Sequence, residues 1–280
     1  MKIITLPPSP VRVLPAYSEY RVDGALLKLY HDRVSLKELQ RQTDDFLRAR
    51  SAGLPVCGGE ADLVQIANDT RYGQLFAANE GAWLSDAYLK KPHRLGAYSR
   101  IMAEQHRRIH QMPSIAGLPN QREVIKGKIL CADIQPGAIK RSLVSLLNHL
   151  PHGNSVCHGD FQPFSVLLAG KTPVISNWKD VSNGNPLCDV ARTALIMTCS
   201  VPGSGLRSQG LRAYLKLNNY LYLSAYLRKD RGRGKELEAW MVVNAAARLS
   251  EDVPEKERLL RMINRSLPRV MARYQLGAVD

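Results

Sequence analysis

The chain has 280 residues, of which 45% are hydrophobic and 23% are charged, a balance ordinary for a globular protein of one large domain or two lobes. It lacks any run of about 18 uncharged apolar residues, which excludes an obvious membrane-spanning helix. The first ten residues, MKIITLPPSP, lack the apolar segment and cleavage site of a signal peptide. We therefore expect a cytoplasmic protein without a membrane partner.

The formal net charge is +14, which favours anionic partners: nucleotide phosphates, an acidic peptide or an acidic protein surface. A generally basic surface without a dedicated partner is an equally weighted interpretation. Nucleic acid is not expected, because the basic run at residues 228–235 has no interleaved aromatic residues and no recognisable binding motif. Five scattered cysteines without C-x-x-C spacing indicate free thiols rather than disulfides or a zinc site.

Short apolar runs and one helical pattern predict a small mixed lobe over residues 1–78. Ser35 followed by Glu38 has the spacing of a helix N-terminal capping box, and Gly53 is a typical stop signal. The predicted strands cover residues 11–22, 25–30, 61–67 and 72–78, and the predicted helix covers residues 35–52.

Longer helical patterns dominate the second predicted lobe, residues 79–280. Two strand-like runs interrupt them within residues 156–180. The predicted helices cover residues 94–111, 139–150, 187–199, 209–228, 235–250 and 255–274.

The most informative segment is VCHGDFQPFSVLLAGKTPVISNWKDVSNGNPLCDVART, residues 156–193. An H-G-D tripeptide precedes a predicted hairpin, and a G-N-P…D-V-A-R-T tail follows it. Phosphoryl transfer needs a carboxylate near the attacking hydroxyl and oxygen ligands for magnesium. A loop followed by a hairpin can supply both from one rigid support.

This segment resembles the catalytic region of the aminoglycoside phosphotransferase and choline kinase-like (APH) family, especially its small bacterial members. The resemblance extends to Lys28 upstream and to residues 245–251 downstream, and so covers nearly the whole chain. It implies an α+β, bilobal protein-kinase-like fold, with a mixed-sheet N-lobe on the nucleotide side. The mainly helical C-lobe would carry the catalytic loop and hairpin at 156–180.

The resemblance also implies roles for individual residues. Asp160 matches the catalytic base, and Lys28 matches the lysine that binds the nucleotide phosphates. His158, Asp189 and Arg192 match structural positions around the catalytic loop. ATP and magnesium are the implied cofactors. The basic charge of the chain works against a polycationic aminoglycoside as the substrate.

Several positions depart from the family pattern. Asn177 replaces the main metal-binding aspartate, Ser165 replaces a metal-binding asparagine, and Gln42 replaces the helix glutamate that pairs with the lysine. A neutral amide is a poor substitute for a carboxylate on magnesium, and its cost is several kcal/mol of transition-state stabilisation, roughly three or more decades in rate. The segment at residues 14–22 that would cover the phosphates has no glycine. Asp180 is an alternative metal ligand.

Three functions remain open at this point. The first is a pseudokinase-like binding or regulatory component with phosphotransfer lost or impaired. The second is an active ATP-dependent kinase of an alcohol group on a small compound or peptide. The third, supported by family analogy alone, is a biosynthetic protein that modifies peptides.

Three further patterns have a simple structural interpretation. His106 and His110 have the spacing of metal ligands on one helix face, but a third ligand is not evident, so a structural role is favoured. Tyrosines in the helix at 209–228 fit helix packing, with a substrate contact as the alternative. Cys157 is expected to be a buried structural thiol rather than a nucleophile.

Overall fold

The structure is a computed structural model that describes residues 1–14, 17–31, 34–58, 61–78, 80–170, 172–199, 206–228, 230–251 and 253–277. They form two compact units. The first contains Met1–Asp86 and Phe164–Val181, and the second contains Ala87–Pro163 and Ser182–Asp280. The composition of the units confirms the predicted α+β class, since one is built on a mixed sheet and the other is mainly helical.

The first unit holds one long helix, α1 (Leu36–Ser51), and most of the strands. Its strands are β1 (Lys2–Ile4), β2 (Arg12–Val13), β3 (Tyr17–Val22), β4 (Ala25–Tyr30), β5 (Ala61–Ile66), β6 (Tyr72–Ala77), β7 (Ala82–Trp83), β9 (Val166–Leu168) and β10 (Val174–Ile175).

Six of these strands form a single sheet in the order β1-β5-β6-β4-β3-β2. The β1–β5 pair is parallel and the remaining neighbours are antiparallel. Asp23 and Gly24 both adopt left-handed backbone angles, with φ of 48° and 78°, as the two-residue turn of a β-hairpin requires. That turn fixes the register of β3 against β4.

The two faces of this sheet have different neighbours, because successive side chains on a strand alternate between faces. On one face Leu27, Leu29 and Val64 belong to a buried apolar cluster. On the other face Tyr17 and Tyr30 pack with Leu39 of α1. Polar residues of β3 and β4 share this second face and line the cavity described below.

Helix α1 begins as its sequence predicts. The hydroxyl of Ser35 accepts a hydrogen bond from the backbone N–H of Glu38 at 3.2 Å, which satisfies one of the free amide groups of the first turn. Gly53, with φ of 87°, ends the helical segment in the left-handed conformation that favours glycine.

The first unit is longer than the sequence predicted and is discontinuous. It continues to Asp86 rather than ending at 78, and it includes most of the hairpin that was assigned to the C-lobe. Strand pairing is the reason: β7 pairs with β9, and Val56 forms a parallel bridge with Ile175.

The second unit consists of helices around a small two-stranded ladder. The ladder pairs β8 (Ser155–Cys157) with β11 (Ser182–Gly184). The helices are α2 (Leu84–Lys90, which begins in the first unit), α3 (Leu95–His110), α4 (Gln121–Cys131), α5 (Gly137–His149), α6 (Pro186–Cys199), α7 (Leu206–Leu227), α8 (Gly234–Arg248) and α9 (Lys256–Arg273).

The core of the second unit centres on α6, which is buried along most of its length. The largest fully buried side chains of the second unit are Trp240, Tyr222 and Phe161. Cys157 is also fully buried, and burial raises the pKa of its thiol well above the ordinary value, as a structural role predicts. Within the described part of the chain, no helix is both long and apolar enough to cross a membrane.

Candidate functional site

The candidate residues divide between the two units. Lys28, Gln42, Ser165 and Asn177 lie in the first, whereas His158, Asp160, Asp189 and Arg192 lie in the second. In the first unit a cavity of about 430 Å³, here called the sheet pocket, opens on the α1 side of the six-stranded sheet. Its polar lining includes Arg12, Glu19, Lys28, Gln42, Gln74 and Asn177, and its apolar lining includes Leu26, Phe46, Phe76 and Trp83.

Lys28 is positioned by strand β4 and by the hairpin that carries Asn177. Its ammonium group donates a hydrogen bond to Asn177 Oδ1 at 3.0 Å. It also lies 4.1 Å from the ring centroid of Tyr17 and 4.9 Å from that of Tyr30, within the range of cation–π attraction. The amide at the predicted metal-ligand position is thus bound to Lys28, the residue predicted to bind the nucleotide phosphates.

Asn177 has a left-handed backbone, with φ of 66° and ψ of 46°, a conformation that asparagine and aspartate tolerate better than most residues. The turn after it is held by Trp178, whose indole N–H donates to the carbonyl of Ile175 at 2.8 Å. An aspartate would therefore fit the same backbone.

Ser165 and Gln42 are both buried in the first unit. The Ser165 side chain has 0% exposure, and its carbonyl accepts the backbone N–H of Ser176 at 2.8 Å. Gln42 Oε1 accepts a hydrogen bond from the Tyr30 hydroxyl at 2.8 Å, and its amide donates to Glu38 at 2.9 Å. Gln42 is thus hydrogen-bonded to Tyr30 and Glu38, whereas the sequence suggested Lys28 as its partner.

Asp180, which the sequence suggested as an alternative metal ligand, lies in the turn that packs on α1. Its carboxylate is 3.8 Å from the ammonium group of Lys179, and it acts electrostatically on Glu38 and Arg41 of α1. The hydrogen bond from Arg41 is the main reason that the pKa of Glu38 is lowered. Asp180 therefore has a local electrostatic role beside the helix.

Sequence reasoning missed a row of polar residues across the sheet. Strand register places Arg12 opposite Glu19, Glu19 opposite Lys28, and Lys28 opposite Gln74. Arg12 lies 3.8 Å from the Glu19 carboxylate and 4.2 Å from the ring centroid of Trp83. The Asp23-Gly24 turn was the available signal, because a two-residue hairpin loop makes Glu19 the cross-strand partner of Lys28.

In the second unit the H-G-D segment follows β8 and is anchored by Asp189 in the first turn of α6. The Asp189 carboxylate accepts the backbone N–H groups of His158 at 2.5 Å and of Gly159 at 3.0 Å. Gly159 has φ of 80°, which favours glycine. Asp160 is buried, and its carboxylate accepts a hydrogen bond from the Gln162 amide at 2.6 Å.

Asp189 also binds the two histidines of α3. His106 Nε2 lies 3.0 Å and His110 Nε2 lies 3.2 Å from the same carboxylate oxygen. On the far side of each ring, Nδ1 lies 2.7 Å from the Tyr222 hydroxyl or 2.6 Å from the Tyr226 hydroxyl. Since a carboxylate only accepts, each ring donates to Asp189 through Nε2.

These contacts explain how the network ionises. Burial lowers the pKa of His106 to about 3, so this ring is neutral at pH 7. Burial by itself would raise the pKa of Asp189, but its interactions with His106 and His110 hold it well below the ordinary value. The ligand atoms of these three residues lie within 4.8 Å of one another, and every one of them already has a hydrogen-bond partner. The arrangement fits the structural interpretation of the histidine pair.

Arg192 lies one turn after Asp189 on α6. It donates to both carboxylate oxygens of Glu251, at 2.9 and 3.1 Å, and Lys128 and Arg248 contact the same carboxylate. The next residue, Thr193, donates to the carbonyl of Phe161 at 2.9 Å. Helix α6 therefore connects the H-G-D segment to the turn that follows α8 in this unit.

Residues 16–228 match the sequence pattern of the Phosphotransferase enzyme family, and this stretch is more than half of the chain. The protein therefore belongs to the phosphotransferase enzyme family. No curated protein matches the chain significantly in sequence.

Solved structures of kinase-like phosphotransferases have the same fold. A thermostable mutant of aminoglycoside phosphotransferase APH(4)-Ia, in ternary complex with AMP-PNP and hygromycin B, has a TM-score of 0.60 and 14% identity, covering 97% of this chain and 94% of its own. Choline kinase LicA from Streptococcus pneumoniae has a TM-score of 0.56 and 13% identity, covering 94% and 92%. These similarities establish the kinase-like fold; at such identity they do not transfer a substrate.

Proposed function

We propose that this protein is a pseudokinase-like member of the phosphotransferase enzyme family, in which phosphoryl transfer is lost or impaired and ligand binding remains. The observation that carries the proposal is the 3.0 Å hydrogen bond between Lys28 and Asn177. A residue that should bring negative charge to magnesium is here a neutral amide that accepts from the phosphate-binding lysine. The electrostatic stabilisation of the transition state by magnesium, which dominates phosphoryl transfer, is therefore weakened.

Two further observations support this proposal. Ser165 is fully buried in its turn, so it is poorly placed to replace an amide ligand of magnesium. Gln42 provides no carboxylate for Lys28 and is bound to Tyr30 and Glu38. The net charge of +14 supports an acidic peptide, an acidic protein or an anionic small molecule as the bound partner.

The test is to restore the two metal-ligand residues, Asn177→Asp together with Ser165→Asn. We expect the ratio of ADP affinity with magnesium to ADP affinity in EDTA to rise by about tenfold or more, because a carboxylate restores charge at the metal position. Calorimetric titration measures this ratio directly.

A matched control is Asn68→Asp, which adds the same charge at an exposed residue that also has a left-handed backbone, with φ of 58°. The control should leave the ratio unchanged. A double variant whose ADP affinity gains no dependence on magnesium would show that these two positions are not the cause of the impairment.

An active ATP-dependent kinase of a hydroxyl-bearing compound or peptide is the second candidate. The observation in its favour is the intact catalytic segment, in which Asp189 holds the backbone of His158 and Gly159. If the protein turns over ATP, Asp160→Asn should reduce turnover by at least about a hundredfold, since a general base contributes 10²–10⁴ in rate. Turnover that survives Asp160→Asn, with Asp133→Asn as an exposed-carboxylate control, would eliminate Asp160 as the base.

A further inference from the structure

The sheet pocket contains a buried acid where a nucleotide-binding cavity would be expected to offer only positive charge and backbone amides. Glu19 is 5% exposed and Lys28 is 7% exposed. They are directly opposite on β3 and β4, and directly opposed side chains on one face of an antiparallel pair lie in contact range. A negative charge is thus built into the pocket beside its principal lysine.

The neighbours of Glu19 show that this charge is held in place. Arg12, its partner on β2, lies 3.8 Å from the carboxylate and donates to the Ser85 hydroxyl at 3.4 Å and the Phe164 carbonyl at 3.5 Å. The Glu19 carboxylate therefore stands between a guanidinium and an ammonium group in an alternating row. Burial raises the pKa of Glu19 above its ordinary value, and the charges of Arg12 and Lys28 offset only part of this rise.

We propose that Glu19 determines the ligand charge that the sheet pocket accepts. It acts as an internal counter-anion for Lys28 and Arg12, in the place that a ligand phosphate would otherwise take. The pocket then favours an uncharged ligand with an aromatic body, such as a nucleoside, over a polyphosphate. This inference rests on the proposed ligand-binding role of the same pocket.

The remaining lining of the pocket is consistent with such a ligand. Aromatic and aliphatic side chains, including Phe46, Phe76 and Trp83, supply most of its apolar surface, and a volume of about 430 Å³ is within the usual range for small-molecule sites. The remaining cations of the lining are less suited to hold phosphates: Arg21 is exposed, and Lys179 lies 3.8 Å from Asp180. Asp86 adds a second carboxylate to the lining.

The experiment compares adenosine and ADP as ligands of the full-length protein, titrated calorimetrically in EDTA. The variant is Glu19→Gln, which keeps the shape of the side chain and removes its charge. The control is Asp62→Asn, which removes an exposed strand carboxylate of the same unit outside the pocket. In the unsubstituted protein we expect adenosine to bind at least as tightly as ADP.

For Glu19→Gln we expect ADP affinity to rise by about tenfold or more and adenosine affinity to change by less than about twofold, because only the phosphates meet the removed charge. The control should shift neither ligand by more than about twofold. Adding Lys28→Met to Glu19→Gln should abolish the gain, since the freed lysine is its source. If Glu19→Gln does not fold, Glu19→Thr is titrated instead.

Three outcomes would overturn the proposal: unchanged ADP affinity or no ADP binding in the Glu19 variant, an equal rise for adenosine, or an equal rise in Asp62→Asn. Because the titrations contain EDTA, they do not depend on the metal-ligand residues. The two proposals can therefore fail separately. If Glu19→Gln gains ADP affinity but the Asn177→Asp, Ser165→Asn double variant gains no magnesium dependence, the proposed cause of impairment is wrong and the role of Glu19 is still supported.

Discussion

Asp189 shows how much a single buried residue organises in this protein. Its carboxylate accepts two backbone N–H groups of the H-G-D segment and the Nε2 protons of His106 and His110. Hydrogen bonds to a buried charge are among the strongest in proteins, and each donor would be costly to leave without an acceptor. The H-G-D segment, α3 and α6 are therefore held by one side chain.

His106 makes the stability of this network dependent on pH. Its pKa falls from 6.5 to about 3 on folding, so between these values the unfolded chain binds a proton that the folded chain does not. The contribution of the neutral His106 ring to the free energy of unfolding is then fully present above about pH 6.5. It is lost as the pH falls, by up to about 1.4 kcal/mol per pH unit. Urea unfolding between pH 7 and pH 5 should show this slope.

The slope of the unfolding free energy against pH should be smaller in His106→Gln by the equivalent of close to one bound proton, since glutamine does not titrate. His149→Gln is the control, because His149 is exposed at the end of α5. Equal slopes in the protein and in His106→Gln would show that the ring does not titrate as the fold implies.

At the scale of elements, a tight turn fixes how two strands pair, and a capping residue fixes where a helix begins. The Asp23-Gly24 turn sets the register of β3 and β4 and so brings Glu19 to Lys28. Ser35 begins α1, the helix whose Gln42 and Leu39 face the sheet. The pocket depends on both signals, since one aligns its strands and the other places the helix beside them.

Ser35→Ala should destabilise the protein by about 1 kcal/mol, because the first turn of α1 loses a side-chain acceptor for its amide groups. Ser51→Ala, at the exposed last residue of the same helix, should change stability by less than about 0.5 kcal/mol. Urea unfolding monitored by circular dichroism compares the two. A loss in Ser51→Ala as large as that in Ser35→Ala would argue against the cap.

At the scale of the whole molecule, the first unit is not a continuous piece of chain. Phe164–Val181 returns to it through the pairing of β9 with β7 and the bridge between Val56 and Ile175. A fragment ending at residue 86 would leave β7 without its partner and would lack Asn177 beside Lys28. The sequence boundary at 78 could not reveal this, because strand pairing between distant segments leaves no local signal.

We therefore expect the fragment of residues 1–86 to be digested by protease much faster than the same fragment joined by a flexible linker to residues 164–181. Limited proteolysis at equal concentrations, followed by mass spectrometry, measures the difference. Equal resistance would mean that β1–β6 and α1 fold without the hairpin.

Local patterns in the sequence were enough for the long helices, the cap of α1 and the strands on either side of Asp23-Gly24, because periodicity and turn chemistry act over neighbouring residues. The H-G-D segment and its hairpin also indicated the family, which the match over residues 16–228 confirms. Short elements such as β1, α2 and β11 were missed, since their few residues carry weak patterns and depend on their neighbours for stability. Helix α4 was also missed.

The sequence by itself thus determined the class of fold, and its resemblance to the family indicated departures from the family pattern at Asn177, Ser165 and Gln42. Tertiary structure alone decided which partners those residues have: Asn177 bound to Lys28, Gln42 bound to Tyr30, and two tyrosines completing the histidine pair. The physical reason is that the sequence directly gives the chemical type of each side chain. The charge, burial and hydrogen bonding that surround each group arise only when distant strands and helices pack together.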